Sequence, residues 1–308
     1  MFSKKLLIPL LSLSLLVTPA YSSHAAENAE AAGTSVEGQG MLSPSSSSES
    51  SESVFNGSGA GTSSEPVTDE KLETILKQVQ SQLPAENGTW AVFISDLVNG
   101  TEGSLNDQKM QAASLIKLYI MGAVYEDYDS LSSKYSKDQL DNALNSMITV
   151  SDNDAANTLT TYLGGGDSAA GMQAVNSFCQ AHGYDQTHMG RMLLASNEND
   201  DNYTSVGDCG HLLQEIYKQD TSGYTHATDM FNLLKAQTRC NKIPAQLPEG
   251  VKTANKTGEL DNVENDAGII YDSKNDVVIV FMSQNLSSAG SAQNTIATLS
   301  RTIYDYYN

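Results

Sequence analysis

The chain has 308 residues and a formal net charge of −20, from 37 acidic and 17 basic side chains. A chain this acidic is repelled by a phosphate backbone, which argues against nucleic acid as a partner. Its three cysteines and five histidines show no zinc-ligand spacing, so we expect no metal and no cofactor. The length suits one sizeable domain or two small ones, once the N-terminal segments are set aside.

The first segment, residues 1–25, has the layout of a secretory signal peptide. Lys4 and Lys5 precede an apolar stretch at 6–17, and small residues follow around Ala25. The stretch is shorter than the roughly 20 residues that a membrane-spanning helix needs. We therefore expect a secreted or extracytoplasmic protein, with an uncleaved N-terminal segment that tethers it to the membrane as the alternative.

The second segment, residues 26–66, is rich in Ser, Glu and Gly and contains almost no large apolar side chain. It buries too little surface to offset the entropy of ordering it, so we predict a disordered tether. The remaining residues, 67–308, are long enough for one folded domain with a substantial core. We expect this domain to act as a monomer.

Helix and strand patterns give the order of elements at the start of the domain. Apolar residues recur at helical spacing from Leu72 to Leu83, behind Asp69 as a helix cap. Strand formers at 89–97 are followed by an Asn99-Gly100 hairpin turn and a second strand. A helix and a β-hairpin are therefore predicted here.

Near the other end, three more strands are predicted in GVKTANKTGEL, DAGIIYD and VVIVFMSQ. A closing helix follows, whose apolar face contains Ile296, Leu299, Ile303 and Tyr306. Between these ends, from 112 to 246, nearly everything is typical of helix or loop. The prediction is an α+β domain: an antiparallel sheet built from both chain ends, flanked by N- and C-terminal helices, with an inserted all-helical lobe.

The cysteines give one further expectation. An odd number in an exported chain leaves at least one free thiol, and none lies in a recognisable nucleophile context. If a disulfide forms, we expect it between Cys179 and Cys209, because the helices that carry them flank the same loop.

The sequence AASLIKLYIMGAVYE contains one lysine, Lys117, inside an otherwise apolar run. In a helix Lys117 shares a face with Ser114, three residues earlier. A serine hydroxyl is a weak nucleophile until a neighbour takes its proton, and a poorly solvated lysine can do that. Alone the pair is weak evidence, because a lysine whose charge reaches solvent from an amphipathic helix is the ordinary explanation.

Two further motifs give the pair more weight. Ser151-Asp152-Asn153 precedes a predicted helix, so a loop there can hold the serine hydroxyl beside the asparagine amide. Lys256-Thr257-Gly258 lies on a predicted strand, where the lysine and the glycine point to one side and the glycine allows a ligand close to the backbone. Each alone has a structural explanation, as a helix cap and as an exposed strand segment.

In this order, the S-x-x-K, S-D-N and K-T-G motifs resemble those of the class A serine β-lactamases and the related penicillin-binding proteins. The resemblance covers most of 67–308. It implies a β-lactamase/transpeptidase-like fold and a serine hydrolase that opens a β-lactam amide through an acyl-enzyme, the chemistry of antibiotic resistance in that family. The substrate would be a small-molecule β-lactam or a D-Ala-D-Ala peptide.

Carried over position by position, the resemblance assigns catalytic roles to three residues. Ser114 resembles the acylated nucleophile and Lys117 its proton acceptor or relay. Ser151 would pass a proton to the leaving nitrogen.

The resemblance also assigns groups that bind the substrate. Asn153, with the catalytic lysine, would orient the substrate amide. Lys256 and Thr257, beside Gly258, would hold the substrate carboxylate. The oxyanion would lie between two backbone N–H groups, those of Ser114 and Glu259.

One departure concerns the family's R-x-E-x-x-L-N signature, which corresponds here to RMLLASN. Arg191 and Asn197 fit, but Leu193 stands where the water-activating glutamate is expected. Asn157, by the same resemblance, would anchor this loop. A carboxylate from a shifted position has three candidates: Glu198, Asp200 and Asp201. Loss of a general base costs about 10² to 10⁴ in rate, so we expect acylation to survive and deacylation to be slow.

Three functions follow from these residues. The leading hypothesis is an exported serine hydrolase of class A β-lactamase type. The first alternative is a D-Ala-D-Ala carboxypeptidase or penicillin-binding protein acting on peptidoglycan, which uses the same groups. The second is a non-hydrolytic binder of β-lactams or peptidoglycan, favoured by Leu193 and disfavoured by the complete set of acylating groups.

Overall fold

The computed structural model describes residues 69–308, and the predicted signal peptide and tether lie outside the described residues. The helices of this part are α1 Glu70–Gln82, α2 Ile116–Glu126, α3 Tyr128–Tyr135, α4 Lys137–Thr149, α5 Asn153–Leu163, α6 Ser168–Ala181, α7 Val206–Tyr217, α8 Ala227–Lys235 and α9 Ala289–Tyr307. The strands are β1 Thr89–Asp96, β2 Thr101–Leu105, β3 Met110–Gln111, β4 Tyr203–Thr204, β5 Lys252–Leu260, β6 Val263–Tyr271 and β7 Val277–Gln284. Short 3₁₀ turns lie at Ala113–Leu115, Gln219–Thr221 and Ile243–Gln246. Within the described part, no helix has both the length and the apolar character needed to cross a bilayer.

Five strands form one antiparallel sheet in the order β2-β1-β7-β6-β5. The N-terminal hairpin therefore pairs with the last strand of the chain, with Thr89 opposite Gln284. The two sheet faces bury separate apolar cores, because strand side chains alternate between faces. One core is covered by α1 and α9 and the other by the helical lobe, which confirms the predicted α+β plan.

The two terminal helices follow the predicted apolar spacing. Asp69 caps α1 through hydrogen bonds from the N–H groups of Lys71 and Leu72 to its carboxylate. In α9 the last buried residue is Tyr307, not Tyr306, which is only half-buried. Tyr306 packs against the same core as Ile296, Leu299 and Ile303, so the predicted apolar face is confirmed, and Tyr307 adds to it.

The middle of the chain, from 112 to 246, is helical as predicted. The one strand of this stretch among the described residues is β4, two residues long, which pairs with β3. This small pairing lies beside the turn at Ala113–Leu115, since the Ala112 N–H donates to the carbonyl of Asn202 at 2.9 Å.

All three cysteines are free thiols, so the expected Cys179–Cys209 disulfide is not formed. Cys209 is buried in α7, and its sulfur accepts a hydrogen bond from the Tyr119 hydroxyl at 3.4 Å. Cys179 is buried in the apolar core of the lobe. Each thiol is thus held in its own packed environment, and Cys240 is exposed.

Titration of the denatured chain without reductant should therefore give three thiols per molecule. The reason is that the two buried thiols, Cys179 and Cys209, are not bonded to each other, and the exposed Cys240 is bonded to neither of them. A count of one would contradict the structure and restore the expected disulfide.

Candidate active site

Ser114 lies in the 3₁₀ turn that leads into α2. Side chains three residues apart eclipse in such a turn, and the Lys117 ammonium lies 3.2 Å from the Ser114 hydroxyl oxygen. The residue before the serine, Ala113, has a φ of 48°. A left-handed conformation costs a residue other than glycine about 1–3 kcal/mol and persists only where its surroundings fix it.

The surroundings that fix this turn come from β6. The Asn265 amide donates to the carbonyl of Gln111 at 2.9 Å and to that of Ala112 at 3.2 Å. Its oxygen accepts from the N–H of Ser283 at 3.0 Å. Asn265 is fully buried and uses both ends of its side chain, so it ties the serine-bearing turn to two strands of the sheet.

Lys117 is fully buried, and its ammonium contacts Ser114 and both residues of the second motif that have an assigned role, Ser151 and Asn153. It reaches the carbonyl oxygen of Ser151 at 2.6 Å, the hydroxyl oxygen of that serine at 3.2 Å and the side-chain oxygen of Asn153 at 2.7 Å. Burial, reinforced by the positive charge of Arg239 and opposed by Asp152, lowers the pKa of Lys117 to about 8. About one tenth of this side chain is therefore neutral at pH 7, far more than for an ordinary lysine.

Ser151 joins α4 to α5 in a second left-handed conformation, with a φ of 61°. The helix cap here is Asp152, whose carboxylate accepts from the N–H of Ala155 at 2.8 Å. The Ser151 hydroxyl is thus free of capping and lies between two lysines, 3.2 Å from Lys117 and 2.9 Å from Lys256. A hydroxyl between two amines can relay a proton.

Lys256 is fully buried on β5, where it also donates to the carbonyl of Thr257 at 2.7 Å. Burial lowers the pKa of Lys256 well below its ordinary value, and the positive charge of Lys117 lowers it further. The Ser151 hydroxyl therefore lies between two amines that both lose a proton more easily than an ordinary lysine.

Gly258 has a packing role that the sequence pattern did not indicate, and its role in the close approach of a ligand stays a prediction. A Cβ at this position would lie 2.9 Å from the carbonyl oxygen of Ala112 and 3.2 Å from the backbone nitrogen of Ser114. Because β5 is an edge strand, its outer side is open to the serine-bearing turn. The missing side chain is what lets the two backbones meet.

A partly buried ion network that no sequence motif indicated lies behind β5. Lys242 is fully buried and bridges Glu259 at 2.8 Å and Glu264 at 2.7 Å. Arg239 contacts the other oxygen of Glu259 at 2.9 Å. Burial alone would raise the pKa of Glu259, but the hydrogen bond and charge of Lys242, with Arg239, lower it. This carboxylate is therefore held ionised and neutralised by two cations.

Arg239 is the residue near the serine that sequence reasoning missed most directly. It helps to line a small cavity of about 130 Å³ whose other walls are Ser114, Ser151, Asn153, Thr257 and Glu259. A guanidinium there suits a ligand carboxylate. No spacing rule connects it to the three motifs, since it lies in the loop after α8.

A larger cavity of about 560 Å³ opens on the other side of Ser114. It is lined by Gln111, Ala113, Ser114, Asn153, Arg191, Leu193, Leu194, Ala195, Ser196, Asn197, Glu259, Leu260, Asp261 and Asn262. The catalytic candidate thus lies where two cavities meet, with β5 and the loop at 190–202 as opposite walls.

Asn157 clamps the 190–202 loop at Leu193, as the resemblance implied. Its amide donates to the carbonyl of Leu193 at 3.0 Å, and its oxygen accepts from the leucine N–H at 2.9 Å. Both bonds hold the backbone of this one residue. The Leu193 side chain is buried and lies on the cavity wall, where the family signature has a glutamate.

None of the three acids considered as a substitute for that glutamate lines the cavity described here. Asp201 holds Arg191 at 2.7 Å and Gln111 at 3.0 Å, so it fixes the loop from behind. Asp200 contacts His188 at 2.7 Å, and Glu198 is exposed. Burial would raise the pKa of Asp201, but the hydrogen bonds from Gln111 and the loop backbone lower it.

These side chains can together perform acyl transfer. The Ser114 hydroxyl lies beside the buried Lys117 amine, whose pKa is lowered, and the Ser151 hydroxyl can relay a proton. The Arg239 guanidinium on the wall of the small cavity can bind a carboxylate. Fold and site together are those of a serine hydrolase.

The sequence profile of the Beta-lactamase enzyme family matches the chain at residues 71–139 and 130–307. The chain belongs to this family. A comparison with curated proteins found no match.

Solved structures of the same fold include β-lactamases and a penicillin-binding protein. A β-lactamase from Sphaerobacter thermophilus is 22% identical with a TM-score of 0.63, over 75% of this chain and 96% of that one. PBP-A is 22% identical with a TM-score of 0.66, over 76% of this chain and 96% of that one. A β-lactamase from Chitinophaga pinensis is 19% identical with a TM-score of 0.66, over 76% of this chain and all (100%) of that one. At these identities the likeness establishes the β-lactamase/transpeptidase fold that the sequence predicted.

Proposed function

We propose that this member of the family is an exported, monomeric serine hydrolase of class A type, which opens a β-lactam amide through an acyl-enzyme on Ser114 and deacylates slowly. The observation that carries the proposal is the placement of one buried amine. The Lys117 nitrogen lies within 3.2 Å of both serine hydroxyls and 2.7 Å from the Asn153 oxygen. Export is supported by the N-terminal sequence pattern alone.

Acylation begins when neutral Lys117 takes the hydroxyl proton of Ser114, whose oxygen then attacks the lactam carbonyl carbon. The C–O bond forms as the carbonyl becomes an oxyanion, held between the backbone N–H groups of Ser114 and Glu259. When the oxyanion collapses, the C–N bond breaks and Ser151 gives its proton to the leaving nitrogen. Ser151 regains a proton from Lys117, so the net result is transfer of the Ser114 proton to the nitrogen of the opened ring, which stays attached to the acyl group.

Substrate binding uses the groups around this pathway. Lys117 holds the oxygen of the Asn153 amide, which leaves the NH₂ group to donate to the substrate carbonyl. Lys256 and Thr257 hold the substrate carboxylate, and we add Arg239 to this set because it lines the same small cavity.

Slow deacylation is supported by Leu193, which stands where the family signature has a glutamate. It is also supported by the solved structures of this fold, which include both β-lactamases and PBP-A. No carboxylate among the described residues lines the cavity except Glu259, which two cations neutralise, and Asp261. The relatives of this fold include a leucine-to-glutamate variant of PBP-A, whose structure is an acyl-enzyme complex with penicillin G. PBP-A also favours the second candidate function, a D-Ala-D-Ala carboxypeptidase or penicillin-binding protein.

Mixing the protein with nitrocefin and following product release beside the intact mass separates the candidates. Continued product release supports a β-lactamase. Release that stops at one product per enzyme with an adduct that does not decay, together with D-Ala release from a D-Ala-D-Ala peptide, supports the peptidase. Binding with neither product nor adduct would support the non-hydrolytic binder and overturn the proposal.

The acylation rate should rise about tenfold per pH unit below pH 8 and level off above it. The pKa of Lys117 is lowered to about 8, and only the deprotonated amine accepts the serine proton, so the active fraction grows as pH rises. The measurement is the second-order rate constant of adduct formation from pH 5 to 9. In Lys117→Arg, whose guanidinium stays protonated, the rise should vanish; an unchanged profile would contradict the assignment.

A further inference from the structure

Three ionisable side chains line the larger cavity beside Ser114: Arg191, Glu259 and Asp261. Arg191 is neutralised by Asp201, with 2.7 Å between its nitrogen and the carboxylate oxygen. Glu259 is neutralised by Arg239 at one carboxylate oxygen, at 2.9 Å, and by Lys242 at the other, at 2.8 Å. Asp261 therefore decides the net charge that a substrate meets in this cavity.

Asp261 lies in the two-residue turn between β5 and β6, because Leu260 and Val263 are the last paired residues of these strands. It is exposed and forms no ion pair with any of the residues that the structure describes. The cavity therefore carries one uncompensated negative charge, fixed at the end of the same strand that holds Glu259.

The opposite wall of the cavity is apolar. It is formed by Leu193, Leu194 and Ala195 of the 190–202 loop. Leu194 is 76% exposed and has a φ of 68°. Together with Leu193 and Ala195 it forms a contiguous apolar surface that the hydrocarbon part of a ligand can contact.

We propose that this cavity selects acyl side chains that combine an apolar body with a positively charged group, read by Asp261. The inference rests on the proposed acylation of Ser114 and names its preferred substrate class. The side chain of a β-lactam or a peptide lies on the carbonyl side of the scissile bond, so it occupies the cavity that opens beside the nucleophile. An ammonium faces Asp261 while the hydrocarbon part contacts Leu193 and Leu194.

Three penicillins with one nucleus test the proposal: ampicillin, penicillin G and carbenicillin, whose phenyl side chains carry an ammonium, no charge and a carboxylate. Exposed charge pairs change a rate constant by about two- to five-fold each, so ampicillin should acylate about 4- to 25-fold faster than carbenicillin at low salt. Penicillin G should lie between them. The measurement is the second-order rate constant of adduct formation, from quenched samples analysed by mass.

Asp261→Asn should bring the three rate constants to within about two-fold of each other, and Asp261→Lys should reverse their order. Glu249→Gln is the matched control, because it removes one negative charge from an exposed acid that lines no part of the cavity. Its ratio of ampicillin to carbenicillin should equal that of the wild type. Leu194→Asn should slow all three penicillins together and leave the ratio unchanged.

The result that overturns this inference alone is acylation of Ser114 by all three penicillins at equal rates, or a preference that survives in Asp261→Asn. If no penicillin acylates the protein, the proposed function fails and the inference fails with it. The two failures are therefore distinguished by the presence of an adduct.

Discussion

Replacing Ser114 with alanine should abolish the covalent penicillin adduct and product release together. Among the residues that the structure describes, no other hydroxyl lies both beside the buried Lys117 amine and on the wall of the two cavities with Glu259, where the oxyanion would form. Intact-mass measurement after incubation with penicillin G should show the full mass of the drug on the wild type and none on the variant.

Ser196→Ala is the matched control, since this serine lines the larger cavity but contacts neither lysine. It should acylate like the wild type. Digestion of the wild-type adduct should place the added mass on the peptide that contains Ser114. An adduct that persists in Ser114→Ala, for example on Ser151 or within 26–66, would overturn the assignment of the nucleophile.

The three motifs were predictable because each is local. In the S-x-x-K motif, a spacing of three residues is enough to bring Ser114 and Lys117 together, whether the turn is α-helical or 3₁₀. Turn chemistry at Asn99-Gly100 and the strand formers of the last two strands made the sheet equally readable. Local spacing and local propensity therefore carried the prediction of both the fold and the nucleophile.

The ion network behind β5 was not predictable, because its members are brought together only by tertiary structure. Lys242 meets Glu264 across 22 positions of the chain, and a lysine in that loop reads as a solvated surface residue. The packing role of Gly258 was not predictable for the same reason. Its neighbour is the backbone of a turn more than 140 residues earlier, and no local pattern announces a contact of that kind.

In the loop at 190–202, the residue that anchors the loop could be named from the sequence, whereas the carboxylate that would activate the water could not. Asn157 holds the loop as the resemblance implied, and Arg191, which fits the signature, pairs with Asp201. The role of each acid, in contrast, depends on which way its side chain faces. Asp201 turns behind the loop to Arg191 and Gln111, and that orientation is a property of the folded loop.

Leu193 gives the second large effect, because a positioned base contributes about 10² to 10⁴ to a rate. Stopped-flow mixing with nitrocefin should show a burst of about one product per enzyme and then a slow phase, with the mass adduct persisting for minutes. Acylation keeps all its groups, whereas the water that must free Ser114 has no base on this wall of the cavity.

Leu193→Glu should accelerate the slow phase by at least tenfold and leave the burst amplitude and rate unchanged. The two hydrogen bonds from Asn157 are to the backbone of Leu193, so they hold the new side chain at the same point of the cavity wall. Leu193→Gln is the matched control, since it has the shape of glutamate but accepts no proton at neutral pH. Equal slow phases in the two variants would show that a carboxylate at this position does not activate the water.

The opposite behaviour of the wild type is just as informative. If Glu198 has taken over the role, the wild type should turn over without a burst, and Glu198→Gln should create one. Glu198 is exposed at the edge of the loop, so taking the role would require it to move toward the cavity wall. A rapid wild type whose rate survives replacement of all three loop acids, Glu198, Asp200 and Asp201, would show that the correspondence between RMLLASN and the family signature is wrong, because the water would then be activated from outside this loop.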